Sequence, residues 1–156
     1  MTTQPSPDAL RTWAKGVHTS EAATELLLRA FGGRLAGAGH PWIHRDDDDV
    51  DWWWIEWDDI PPNLGALSGG ERRLLMIVAS IGGAQVPESL GELISGLDRS
   101  TVALVLAAVS HAAGTQEHRE YLPSRVDDSG TLVIDPSSPR VDLGPLYPWP
   151  DQEEPR

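Results

Sequence analysis

Residues 67–83 read LSGGERRLLMIVASIGG. In the first five of these, Ser68 and Glu71 have the spacing of a capping box. In that arrangement a serine side chain accepts the N–H three residues on, and a glutamate there reaches back to the serine N–H. An apolar run follows at once. Leu74, Leu75, Met76, Ile77, Val78 and Ile81 leave almost no polar side beyond the first turn, and Gly82-Gly83 close the run. The pattern predicts a helix over 69–81. A helix that is apolar nearly all round must be enclosed by other elements, so the fold is expected to be built about it.

Working downstream, VPESLGELISGL predicts a short helix from near Pro87. Asp98 then caps a second long apolar helix over 99–113, ended by Gly114, and the two long helices are expected to pack together. EYLPSRV and TLVIDP, joined by DDSG, predict a β-hairpin. Six prolines fall in 136–156, which predicts an extended tail docked by Leu146, Tyr147 and Trp149.

Working upstream, Ser6-Pro7 supplies a capping hydroxyl with proline at the first helical position. Leu10, Trp13 and Ala14 then form a short apolar face that Gly16 ends. A second helix is expected from Ser20 to Phe31, with Ala22, Ala23, Leu26, Leu27 and Ala30 on one face and Gly32-Gly33 at its end. Together these signals define an α+β fold that is mainly α. Two central apolar helices (about 69–81 and 99–113) are flanked by an N-terminal helical hairpin, a Trp-rich strand and a C-terminal β-hairpin. A single globular domain is expected over 1–135, with a Pro-rich extended tail over 136–156.

The chain has 156 residues, no cysteine and a formal charge of −12. Disulfides and thiolate metal sites are thereby excluded, and a reducing compartment fits. No stretch reaches the roughly 20 apolar residues of a membrane span, so a cytoplasmic protein without membrane contact is expected. The negative charge repels a phosphate backbone, which argues against direct nucleic-acid binding. It favours basic partners, including proteins that themselves bind nucleic acid. Lys15 is the only lysine beside eleven arginines, a bias that with abundant Ala, Gly and Asp suits a high-GC bacterial genome or its phage.

LSGGE at 67–71 resembles the signature loop of ABC-type ATPases, and SGLD at 95–98, standing 28 positions after Leu67, resembles their D-loop. The resemblance covers about a fifth of the chain. It implies that Ser68 and Gly70 touch the γ-phosphate of an ATP held mainly by an opposing subunit, with Asp98 at the same interface. The P-loop that carries the phosphate-binding lysine is missing, because the sole lysine lies in TWAKGV. The place of the Asp-Glu pair reads PESLGELI. A chain without these parts does not hydrolyse ATP alone by that mechanism. The capping box accounts for the same letters, and Asp98 is more simply an N-cap. From AATELLL through LSGGERRLL to GLDRSTVALVLAAVSHAAG, the chain also resembles small uncharacterised actinobacterial and phage proteins, a likeness that imports no activity.

HPWIHRDDDDVDWWWIEWDDIPP, residues 40–62, holds five of the seven tryptophans. In an extended chain Asp51, Trp53, Ile55 and Trp57 point one way, and Trp52, Trp54 and Glu56 the other. This density of Trp and Ile predicts a strand, with Trp42-Ile43 as its hairpin partner across the Asp run. Residues 46–59 carry eight acids and no base, which is −8 of the total −12. Candidate partner-binding residues are Asp46, Asp47, Asp48, Asp49, Asp51, Trp52, Trp54, Glu56, Asp58 and Asp59. Tryptophan would be the buried anchor and the carboxylates would steer a basic partner.

Three further readings of the sequence stay open. One is an inhibitor that mimics nucleic acid, as a phage or plasmid antagonist does. Another is a degenerate nucleotide binder or in-trans signature-loop protein. The third, a metal held by Asp46–Asp49 with His40 and His44, lacks the glycine punctuation of an EF-hand loop, and Pro41 breaks the helix that would align the histidines. His111 and His118 could each pair with Glu117 or Glu120, a proximity too common to assign a role. No catalytic group, cofactor or metal is assigned, and the leading expectation is a non-enzymatic interaction protein.

Overall fold

In the computed structural model, residues 4–121, 123–134, 137 and 139–150 are described. Ser6 Oγ accepts the Ala9 N–H at 3.1 Å and Pro7 opens helix α1, Pro7–Ala14. Gly16 turns the chain at φ 97°. Helix α2 runs His18–Arg29, one half-turn earlier at each end than the apolar spacing suggests. Its C-terminus is fixed by three successive left-handed residues, Phe31, Gly32 and Gly33 (φ 50°, 68° and 77°), inside a 3₁₀ segment Ala30–Ala36. A Cβ on Gly33 would stand 2.9 Å from the Leu28 carbonyl oxygen, so glycine is needed there on both backbone and steric grounds.

Strands β1, Ile43–Arg45, and β2, Trp53–Ile55, form an antiparallel hairpin in the register Ile43↔Ile55, His44↔Trp54, Arg45↔Trp53. The expected pairing across the Asp run is therefore present. Short 3₁₀ turns at Trp57–Asp59 and Pro61–Asn63 lead to helix α3, Gly69–Gly82. Ser68 and Glu71 close its first turn as a complete capping box, and Gly83 ends it at φ 114°. A cap of this kind contributes about 1 kcal/mol. Leu74 through Ala79 are all buried, as an all-round apolar helix requires.

Helix α4 is only Leu90–Ile94. It starts three residues later than Pro87 suggests because a second capping box, Ser89 with Glu92, sets its first turn. Asp98 Oδ1 accepts the Thr101 N–H at 2.8 Å and starts helix α5, Arg99–Ala112. Helices α3 and α5 meet, but each packs more extensively on α2. Ala22 and Ala23 are small enough to let α5 and α3 approach that axis from two sides, with Leu26 and Leu27 filling between. No helix is long and apolar enough to cross a membrane among the described residues.

After a 3₁₀ turn at Thr115–Glu117 come β3, Arg119–Tyr121, and β4, Pro123–Val126. The hairpin is β4 with β5, Leu132–Ile134, closed by an Asp127–Gly130 turn. The stretch expected as an extended tail adds something unforeseen. Its proline-free piece Arg140–Asp142 forms β6, which pairs antiparallel with β3. Beyond it, the Trp149 indole packs on the core cluster while the Leu146 side chain is 82% exposed. The Tyr147 N–H docks the segment to Ser110 Oγ at 2.9 Å. Leu122, Asp135, Pro136 and the tail's last six residues lie outside the described residues.

Candidate functional site

The strand alternation of β2 divides its tryptophans as expected. Trp53, Ile55 and, just beyond the strand, Trp57 are buried in the core cluster. Trp52 is 43% exposed, and Trp54 is half-buried on the outer face with its ring stacked on His44 at 5.4 Å between centroids. Arg45 braces the base of the loop. Its Nε donates to the Val50 carbonyl at 2.8 Å and its guanidinium lies 5.4 Å from the Trp53 ring.

The ten acidic and aromatic candidates separate by what each side chain touches. Asp46 Oδ1 accepts the N–H groups of Asp48 and Asp49, both at 2.8 Å, so this aspartate shapes the turn. The N–H of Asp49, then that of Asp48, holds its carboxyl below the usual aspartate value. Asp59 Oδ2 lies 2.7 Å from His44 Nε2. Asp49 Oδ1 takes the Asp51 N–H at 3.2 Å but remains exposed. Asp47, Asp48, Asp49, Asp51, Glu56 and Asp58 are all exposed, and none pairs with a cationic side chain among the described residues. The segment that carries Trp52 and Trp54 thus also carries six exposed carboxylates without a cationic side-chain partner among the described residues.

His40 and His44 do not converge on the Asp run. His40 stacks on Trp42, with ring centroids 4.6 Å apart, and reaches the Arg34 carbonyl at 3.0 Å. At the other motif, the Ser68 N–H is taken by Glu71 Oε2 at 2.8 Å. The Ser68 side chain, followed by its N–H and by Arg34, which pairs with Glu71, holds that carboxyl below its ordinary value. Asp98 is likewise occupied, accepting from Ser100 and Thr101.

The sequence reading missed a cluster between α2 and α5. Glu21 Oε1 accepts the Gly16 N–H at 2.9 Å. Its Oε2 lies 3.0 Å from His111 Nε2 and 3.5 Å from His18 Nδ1. The bond from His111, then that from Gly16, holds the Glu21 carboxyl below the usual range against the opposing effect of burial. His111 thus pairs with Glu21 rather than with Glu117 or Glu120, whereas His118 does lie 3.3 Å from Glu120. His18 and Glu21 share a face of α2 at i, i+3, which the sequence displays. Position 111 joins them only once α5 is laid on α2.

One turn along α2, burial works against ionisation of Glu25, but Arg11 and Arg29 outweigh it and hold the carboxyl below its ordinary value. A depressed folded value means that this carboxylate stabilises the fold above the unfolded value of about 4.5 and stops doing so as pH falls through the folded one. Thermal melts between pH 7 and 3 are expected to show a fall in midpoint beginning below about pH 4.5 that is shallower in Glu25→Gln. An equal fall in both proteins would remove Glu25 from the acid response.

No family model matches the chain, and neither a curated protein nor a solved structure matches it.

Proposed function

We propose that this protein is a non-enzymatic interaction module that docks a basic protein partner through the outer face of the β1–β2 hairpin. The observation that carries the reading is Trp52, a large apolar side chain left 43% exposed in a segment, residues 46–59, that also holds six exposed carboxylates paired with no cation among the described residues. An isolated exposed tryptophan is unremarkable, but tryptophan is among the residues that anchor interfaces when a partner covers it. Unpaired carboxylates around such an anchor raise the encounter rate with a cationic surface and reject anionic ones. Buried Trp53, Ile55 and Trp57 fix the strand beneath, so the array is presented on a rigid support.

The test uses substitutions that spare the turn-forming Asp46 and the His44-paired Asp59. A protein captured from host extract by the native chain is purified, and its affinity is measured for native protein and for the Asp47→Asn, Asp48→Asn, Asp49→Asn, Asp51→Asn quadruple variant. Four exposed charge pairs at roughly 0.5 kcal/mol each give about 2 kcal/mol, close to a thirtyfold loss. Trp52→Ala is expected to lose at least as much. Unchanged binding of both variants at physiological salt would refute the proposal. Displacement of the partner by duplex DNA would identify the face as a mimic of nucleic acid, and persistence of the complex would identify ordinary docking.

A further inference from the structure

We propose that His18, Glu21 and His111 form a binding site for a divalent transition cation of the zinc class, in competition with the indole of Trp149. One ligand atom from each of His18, Glu21 and His111 lies within 4.8 Å of the others, the only such grouping of three among the described residues. Nitrogen and oxygen ligands about 2.0–2.1 Å from a tetrahedral zinc stand roughly 3.3 Å apart. The 3.0 and 3.5 Å separations around Glu21 already bracket that spacing. Two imidazoles and one carboxylate are a donor set suited to such ions, and with three protein ligands the site keeps an open position.

Surrounding groups fit the role. The Gly16 N–H fixes the Glu21 carboxylate from the side away from the histidines. His18 Nε2 faces the Glu117 carboxylate at 3.6 Å, the outer partner that orients a ligating imidazole and raises its basicity. A cleft of about 290 Å³ opens on Glu21 and His111 and is also lined by Thr24. The Thr24 hydroxyl is buried and has no hydrogen-bond partner among the described residues. A buried hydroxyl left in that condition costs stability, and a water completing the shell of an ion would supply its missing partner. Arg11 and Lys15 also line this cleft, but Arg11 is matched by Glu25 and Asp8.

Trp149 makes the site conditional. Its Nε1–H donates to His111 Nδ1 at 3.3 Å, so Nδ1 carries no proton and Nε2–H donates to Glu21. A cation bound at Nε2 requires the neutral ring to carry its proton on Nδ1 instead. That proton would then face the indole N–H, donor against donor. Ion binding and the Trp149 contact therefore exclude one another, and loading releases the indole from His111. Gln116 Nε2, 3.1 Å from His18 Nδ1, must also give way.

The full chain, freed of metal by chelator, is titrated with Co²⁺ by visible absorption and with Zn²⁺ by calorimetry. The expected result is one ion per chain with the d–d intensity of a four-coordinate site. His18→Ala and His111→Ala are each expected to weaken binding by on the order of 100-fold or more. His44→Ala and His118→Ala, outside the site, keep the native affinity. Trp149→Phe, which removes the competing donor, tightens binding by roughly fivefold, an outcome that no loss of folding can imitate. Absence of the cobalt spectrum in the native protein, or its persistence in the His18→Ala, His111→Ala double variant, overturns the site. Unaltered or weaker affinity in Trp149→Phe overturns the competition.

Discussion

Trp42→Ala is expected to lower the unfolding free energy by about 3–5 kcal/mol, the range for truncating a buried large aromatic. The indole is 1% exposed and stands immediately before β1, in the core cluster with Leu35, Ile55 and Ile60. Its Nε1–H donates to the Leu35 carbonyl at 2.9 Å, tying the 3₁₀ segment after α2 to the hairpin. Truncation opens a cavity between these two parts and strips a buried carbonyl of its donor, so two costs add. Total stabilities of about 5–15 kcal/mol leave little margin for such a loss. In urea titrations the midpoint should fall steeply, while Trp42→Phe, which keeps most of the volume and loses the N–H, should cost clearly less. A loss under 1 kcal/mol for alanine would mean that the indole is not part of the core.

Gly82→Ala reverses an ordinary helix rule. Alanine is favoured over glycine inside a helix by about 1 kcal/mol, and Gly82 is the last residue of α3. However, a Cβ there would stand 2.4 Å from Trp57 Cδ2 and 2.6 Å from its Cγ. The Trp57 ring is buried and packs against Trp13 at 5.7 Å between centroids, so it has nowhere to move. Overpacking typically costs about 1–3 kcal/mol, and this overlap with a rigid ring belongs at or beyond the upper end. The net expectation is a loss of about 2 kcal/mol. Combining the change with Trp57→Leu should give a double variant less destabilised than the sum of the two, because the smaller side chain admits the methyl. Strict additivity would show that the two positions are not in contact.

These two positions also mark where sequence reasoning succeeds and where it stops. Local signals gave correct elements, because a cap or a terminating glycine acts within a turn. Ser6-Pro7, Ser68 with Glu71, Asp98 and Gly83 all appear in the structure as the sequence implies. The alternation through Trp52, Trp53 and Trp54 correctly divided them between two faces, but which face is buried came only with the fold. What depends on distant contacts was hidden. Gly82 reads as half of a helix terminator, and only the approach of Trp57 makes its missing side chain matter. The pairing of β3 with β6 joins residues about twenty apart across prolines that suggest no sheet. His111 meets Glu21 from 90 positions away. Within the candidate surface, periodicity placed the aspartates on a hairpin but could not tell that Asp46 would be spent on the turn and Asp59 on His44.

That division of labour in the Asp run has an energetic consequence. The hairpin and the turn that follows it hold Asp47, Asp48, Asp49, Asp51, Glu56 and Asp58 against the single arginine Arg45, whose guanidinium is engaged with the Val50 carbonyl and the Trp53 ring. In the unfolded chain the same charges can drift apart, so mutual repulsion favours unfolding of this region and weakens as salt screens it. A cationic partner would relieve the repulsion and bind only the folded array. Occupancy would then act as a folding ligand, adding about 2.7 kcal/mol at a hundred times the dissociation constant. On that footing the protein's own stability becomes a gauge of whether its partner is present.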